Sequence, residues 1–143
     1  MDNTKKILVI DNDNEVIEVV TSILKDISDI EVVHSTSDIE GAMVMLKNDE
    51  YCAILGNVNL SPSNGISCVD LIKEAISGYG NRYYNKILVM SPDIDKIVEA
   101  LRCGAYMSII KPLERSELRH KLSIVVDMHL KTIPPKGTTE IPQ

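Results

Sequence analysis

Five short runs of aliphatic and β-branched residues alternate along this chain with five stretches whose apolar residues recur at helical spacing. That alternation constrains the fold more than any other feature, because runs apolar on both sides of a pleat belong to a parallel sheet covered by helices on both faces. The strands are predicted at residues 6–11, 31–34, 51–57, 86–90 and 108–111. The first helix carries Val16, Val19, Val20, Ile23, Leu24 and Ile27, an i, i+3, i+4, i+7 stripe with one face towards the sheet. The second is expected to start at the run SDIE, with Ser37 as cap and Glu40 reaching back. The third is predicted over residues 66–77. The fourth has Ile94, Ile97, Val98 and Leu101 as its apolar positions and stops at Gly104, which tolerates a left-handed cap. The fifth is predicted over residues 114–130, with Leu118, Leu122 and Val125 inward.

A length of 143 residues fits one such domain with a sizeable core. Residues 1–131 are assigned to it, and the proline- and threonine-containing run at 132–143 reads as a flexible tail or linker. Nothing approaches the roughly 18 consecutive apolar residues of a membrane span, so no membrane association and a cytoplasmic location are expected. The net charge of -6 comes without any lysine or arginine run, which argues against a nucleic-acid surface. Cys52, Cys68 and Cys103 lie far apart and are expected to be reduced thiols. His34, His120 and His129 read as surface or packing histidines; the last two, nine residues apart, are half a revolution out of phase on a helix and share no face. Three of the five tyrosines, Tyr79, Tyr83 and Tyr84, fall in the segment SGYGNRYYN, which suits a solvated loop or an interface.

In an open parallel sheet the functional crevice lies at the carboxyl ends of the strands. The residues there are Asp11, Asn12 and Asp13, then Asn57 to Asn59, then Ser91 and Pro92, then Lys111 and Pro112. The segments ILVIDNDNEV, ILGNVNLSPSNGI, ILVMSP and GAYMSIIKP, in this order and at these separations, resemble the four signature segments of the receiver domain of two-component response regulators. The resemblance covers residues 5 to about 130 and implies an α/β fold, a three-layer α/β/α sandwich of flavodoxin-like (βα)5 type. Its parallel five-stranded sheet would have the order 2-1-3-4-5. Members accept a phosphoryl group from a histidine kinase on an aspartate ending strand three, with Mg²⁺ held by that aspartate and an acidic pair after strand one. A hydroxyl after strand four and a lysine after strand five bind the phosphoryl group, and an aromatic on strand five turns inward.

Carried over residue by residue, the resemblance places Asn57 at the phosphoacceptor position. An amide oxygen bears no full charge and is no nucleophile for forming an acyl phosphate. The acidic pair becomes Asp11 and Asn12, which leaves one carboxylate of three for a metal that wants anionic oxygens, so no cofactor and weak or absent Mg²⁺ binding are expected. Asp13 is expected to point outward and cap the first helix. Ser91 keeps the hydroxyl, Pro92 lacks the N–H that the family uses on the phosphoryl group, and Ser108 stands where the turning aromatic would be, with Tyr106 two residues before it. Lys111 is expected to pair with Asp11 and donate to the Asn57 oxygen. Taken singly, these residues have blander readings: Asn57, Asn59 and Asn64 as turn asparagines, Asp11 as a helix-entry acceptor, Ser91-Pro92 as a turn, Lys111-Pro112 as a strand end before a helix.

The reading that combines these departures is a pseudo-receiver, a non-enzymatic, phosphorylation-independent interaction or regulatory module. The alternative is an active phosphorelay receiver using Mg²⁺ and a non-standard acceptor such as Asp11 or Ser91. A flavin-phosphate binder of the same topology would need a hydroxyl- and glycine-rich first loop, and DNDNE has neither. Partners implied by the resemblance are a histidine kinase, a phosphotransfer protein or an output domain, and a homodimer through the fourth helix, fifth strand and fifth helix. There Asp95, Lys96, Glu99, Arg102, Arg115 and Glu117 provide charges of both signs.

Overall fold

The computed structural model describes residues 5–27, 30, 32–78 and 82–130, apart from the side chains of 32 and 127–130. Its elements run β1 (Lys6–Ile10), α1 (Asn14–Ile27), β2 (Val32–Thr36), α2 (Ile39–Asn48), β3 (Ala53–Asn57), α3 (Cys68–Gly78), β4 (Ile87–Ser91), α4 (Ile94–Arg102), β5 (Met107–Ile110) and α5 (Arg115–Leu130). All four strand pairings are parallel, in the order β2-β1-β3-β4-β5. This is the parallel, helix-covered sheet that the alternating pattern predicts, in the flavodoxin-like strand order that the receiver resemblance implies. Tail residues 132–143 and Tyr79 lie outside the described residues.

Strand alternation divides the interior in two. Leu8, Ile10, Ile54, Ile87 and Val89 pack towards α2, α3 and α4, while Ile7, Val9, Leu55, Leu88, Met90 and Ile109 pack towards α1 and α5. Every residue of β3 and of β4 is buried. Each fully buried aliphatic side chain contributes roughly 1.5–3 kcal/mol, so the central strands form a rigid platform whose carboxyl ends hold their geometry.

Local chemistry departs from expectation in places. α2 is capped by Asp38, whose carboxylate accepts from the Gly41 N–H at 2.7 Å; Ser37 is not the cap, and the capping pair expected with Glu40 is replaced by this single bond. An aspartate is the stronger acceptor for a helix-start N–H. The reciprocal box forms instead at α3, where Ser67 N–H donates to Asp70 and Asp70 N–H donates to the Ser67 hydroxyl. α3 consequently begins at Cys68, because Ile66 is held in a two-residue turn by mutual backbone bonds with Ser63 at 2.9 Å. Asn64 (φ 53°) and Gly65 (φ 78°) form its centre, both in the left-handed region that such a turn requires. β2 lies later than expected, ending at Thr36, and β3 starts at Ala53, leaving Tyr51 just before it.

The largest departure concerns α4. Of its four apolar positions named from the sequence only Ile97 is buried, joined by Ala100, while Ile94, Val98 and Leu101 are exposed at 57%, 38% and 39%. The periodicity is real, but the stripe is wider than the contact with the sheet. Tyr83, expected in a solvated loop, is buried completely; its hydroxyl accepts the Tyr51 N–H at 3.1 Å. Tyr84 beside it is exposed. His34 packs edge-on against Tyr51, with Nδ1 2.8 Å from its hydroxyl, and burial together with the nearby Asp49 charge pushes the Tyr51 phenol up to about 12. His120 is exposed, and the His129 side chain lies outside the described residues.

Gly104 follows α4 with φ 119°, and a Cβ there would stand 2.5 Å from the Ile76 Cδ1. Gly104→Ala is expected to destabilise the domain by about 1–3 kcal/mol, read as a lower urea midpoint with unchanged slope. Acid sensitivity has a defined contributor as well. The Ser67 backbone and hydroxyl bonds hold the Asp70 carboxyl below the usual range, so its stabilisation is present above the ordinary carboxylate range and is lost as pH falls through the lowered value. Asp70→Asn should flatten the acid limb of a stability-against-pH curve.

Candidate functional site

The strand ends bring together Asp11, Asn57, Ser91 and Lys111. One backbone bond beyond the strands fixes each neighbourhood: Asp11 N–H to Thr36 O at 3.0 Å, Val58 N–H to Met90 O at 2.9 Å, Lys111 N–H to Ser91 O at 2.9 Å. Among the described residues Asp11, Asn57 and Ser91 are the buried polar or charged side chains, exposed by 0%, 6% and 0%. Polar groups so far from water must find partners inside the protein.

They do so as one network. Lys111 Nζ lies 2.9 Å from Asp11 Oδ2, an ion pair whose carboxylate side chain is wholly buried and whose lysine is 16% exposed. The other Asp11 oxygen accepts from the Asp13 N–H at 3.0 Å and from Asn57 Nδ2 at 3.3 Å. The Asn57 oxygen accepts from the Asn59 N–H at 2.9 Å, so the expected bond from Lys111 to that oxygen is replaced by a bond within the β3–α3 turn. The reason is local reach: an Asx turn places the amide oxygen over the N–H two residues on, which turns the Asn57 NH₂ towards Asp11. An aspartate has no such donor.

Asn12 is exposed and Asp13 caps α1, accepting from the Glu15 N–H at 2.9 Å. The Ser91 hydroxyl accepts from the Asp93 N–H at 2.9 Å, and Asp93 in turn caps α4 through the Asp95 N–H; the residue between, Pro92, has no N–H to contribute. Ser108 is half-buried, and its carbonyl accepts from Lys121 of α5 at 2.6 Å. Tyr106 precedes β5 and is 44% exposed, so no aromatic ring fills the space beside Ser108 from that position. Beneath the network Cys68 is fully buried; burial first and the Asp11 charge second push its thiol up to about 12, which keeps it protonated. The Lys111–Pro112 peptide is cis.

The residue set offers a metal one carboxylate, already neutralised by Lys111 and occupied by two N–H donors. Among the described residues no group of three His, Cys, Asp or Glu side chains is placed to hold a metal ion. The Asn57–Asn59 bond agrees with the turn-asparagine reading of the sequence, whereas of the two lysines here Lys111 was expected and Lys121 was missed by sequence reasoning. A lysine four residues after Glu117, on the face that packs against the fifth strand, is the signal that points to Lys121.

A doubly wound sheet with its polar residues gathered at the carboxyl ends defines the class of protein. The response regulator receiver domain family matches residues 7–123, and the chain belongs to that family. Its members are regulatory modules of two-component signalling. Similar solved structures include a response regulator from Chloroflexus aurantiacus, 22% identical, covering 87% of this chain and 99% of its own, with a TM-score of 0.71. The response regulatory domain of mrkE from Klebsiella pneumoniae is 19% identical, covers 87% and 98%, and has a TM-score of 0.74. The receiver domain of a sensor histidine kinase from Pseudomonas aeruginosa PAO1, solved with magnesium in its active-site cleft, is 18% identical, covers 87% and 98%, and has a TM-score of 0.68. No curated protein matches the chain. Among the described residues no helix is long and apolar enough to cross a membrane.

Removing Lys111 alone strands a buried negative charge. Lys111→Met is expected to cost roughly 3–5 kcal/mol, and adding Asp11→Asn to recover much of it. A double-mutant cycle by denaturant unfolding reads this coupling, and additive losses would show that the pair is not the network's anchor.

Proposed function

We propose that this chain is a pseudo-receiver: a phosphorylation-independent interaction or regulatory module that keeps the receiver fold and not its phosphoryl chemistry. The observation that carries this reading is Asn57, an amide at the acceptor position whose NH₂ donates to Asp11 while its oxygen is engaged by Asn59. The residue cannot act as the anionic nucleophile that acyl phosphate formation needs. Asp11 is a poor substitute acceptor, because it is buried and paired with Lys111; Ser91 is buried with its hydroxyl accepting a backbone N–H. With two of three carboxylates absent, Mg²⁺ binding is weak.

The partner face consistent with this reading is α4–β5–α5. Ile94, Val98, Leu101, Tyr106 and Ile110 are exposed there, with Asp95, Lys96, Glu99 and Arg102 around them, whereas Arg115 donates to Ser22 of α1 at 3.2 Å. Glu117 is engaged by Lys121 at 2.9 Å and is less available to a partner. An apolar centre within a rim of both charge signs is the composition of a protein interface and fits a second copy of this chain, a histidine kinase, a phosphotransfer protein or an output domain.

Incubation with acetyl phosphate and Mg²⁺, read by intact mass, is expected to leave the natural chain unmodified and to add a phosphoryl group to an Asn12→Asp, Asn57→Asp variant. A stable adduct on the natural chain would overturn the reading. For the face, Leu101→Asp is expected to weaken self-association or partner capture at least tenfold with little change in unfolding midpoint. Sedimentation that shows only monomer at micromolar concentration for the natural chain would remove the homodimer.

A further inference from the structure

The turn between β3 and α3 carries a chemical feature unrelated to phosphoryl transfer. Asn64 is exposed, its side chain makes no hydrogen bond among the described residues, and the next residue is Gly65, also exposed and with open space where a Cβ would stand. It is the one asparagine in the sequence followed by glycine. Asn57, seven residues earlier, contrasts in each respect: it is buried, its amide is bonded at both ends, and the β-branched Val58 follows it.

We infer that Asn64 is a site of spontaneous covalent modification, at which the side-chain amide is lost and a carboxylate appears beside the candidate site. The Gly65 nitrogen attacks the Asn64 Cγ, forming a five-membered succinimide. The Cγ–Nδ2 bond breaks, and Nδ2 leaves as ammonia with the proton from the Gly65 N–H. Water then adds to one of the two ring carbonyls. Opening at Cγ gives aspartate, and opening at the backbone carbonyl gives isoaspartate, so one water enters and one ammonia departs. Glycine permits this closure because no side chain crowds the attacking nitrogen. The Gly65 N–H makes no hydrogen bond among the described residues that would hold it back, whereas the paired Ser63–Ile66 bonds restrain the turn and make its opening the slow step.

Either product adds one negative charge to the loop that follows Asn57. The isoaspartate product also inserts an extra backbone atom into a turn whose closure depends on two central residues, so the Ser63–Ile66 bonds no longer close as they do now. The surface between β3 and α3 thus differs between new and aged protein, while Asn57 itself is shielded from the same reaction.

The test is incubation of the full folded chain in mildly alkaline buffer, followed by peptide mapping with isoaspartate detection, beside a urea-unfolded sample and an Asn64→Gln variant. In the folded chain a gain of one mass unit is expected in the peptide containing Asn64 and in no other, with isoaspartate the major product. The unfolded chain is expected to convert several-fold faster, and Asn64→Gln to show no gain at this position. Intact Asn64 in the folded chain when most of the unfolded sample has converted would overturn the inference, as would conversion of another asparagine in the folded chain ahead of it.

Discussion

The buried ion pair between Asp11 and Lys111 is the interaction on which the carboxyl end of this sheet depends. Its partners are 100 residues apart in sequence, one after the first strand and one after the last. A carboxylate without solvent exposure is costly to bury unless a cation and further donors satisfy it, and here Lys111, Asn57 and the Asp13 N–H all converge on it. The strand ends are therefore tied to one another through a single side chain. In a receiver that binds a metal, a divalent cation takes part of that role; in this chain an amide donor from Asn57 meets the same oxygen. The amide at position 57 thus satisfies Asp11 from inside the protein, which a carboxylate there could not do.

Much of the fold was legible because it rests on periodicity and on strongly apolar runs. The five strands and five helices fall near their expected places, and the ends of β1, β3, β4 and β5 bring Asp11, Asn57, Ser91 and Lys111 together. What was not legible depends on competition between nearby donors and acceptors. Sequence spacing allowed Ser37 to cap α2, but Asp38 is the better acceptor one residue on. It allowed Lys111 to reach the Asn57 oxygen, but Asn59 is closer along its own turn. Tyr83 shows a different limit: a tyrosine in a polar segment reads as solvated until the structure reveals a buried N–H, that of Tyr51, for its hydroxyl to meet.

The exposed side of α4 carries more apolar character than the packing of the helix on the sheet requires. Ile97 and Ala100 suffice to seat the helix, so the apolar character of Ile94, Val98 and Leu101 is not spent on this domain's own core. Tyr106 and Ile110 continue the same surface around β5. The residues of this face are separate from the buried network at the strand ends, so a change in one need not alter the other. On the other side of β5, the bond from Lys121 to the Ser108 carbonyl, shared with Glu117, holds α5 against the strand where the family places a moving ring.

The long span of the Asp11–Lys111 pair has a consequence for the chain as it is made. During synthesis Asp11 emerges well before its cation, which is added only after all five strands have been translated. Until then the end of the first strand must remain wet, since drying it would isolate an uncompensated charge. The carboxyl edge of the sheet is in this sense sealed from its far side, by the fifth strand's arrival, and a ribosome-bound chain lacking that strand would present an open polar cleft with Asn57 and Asp11 still accessible to water.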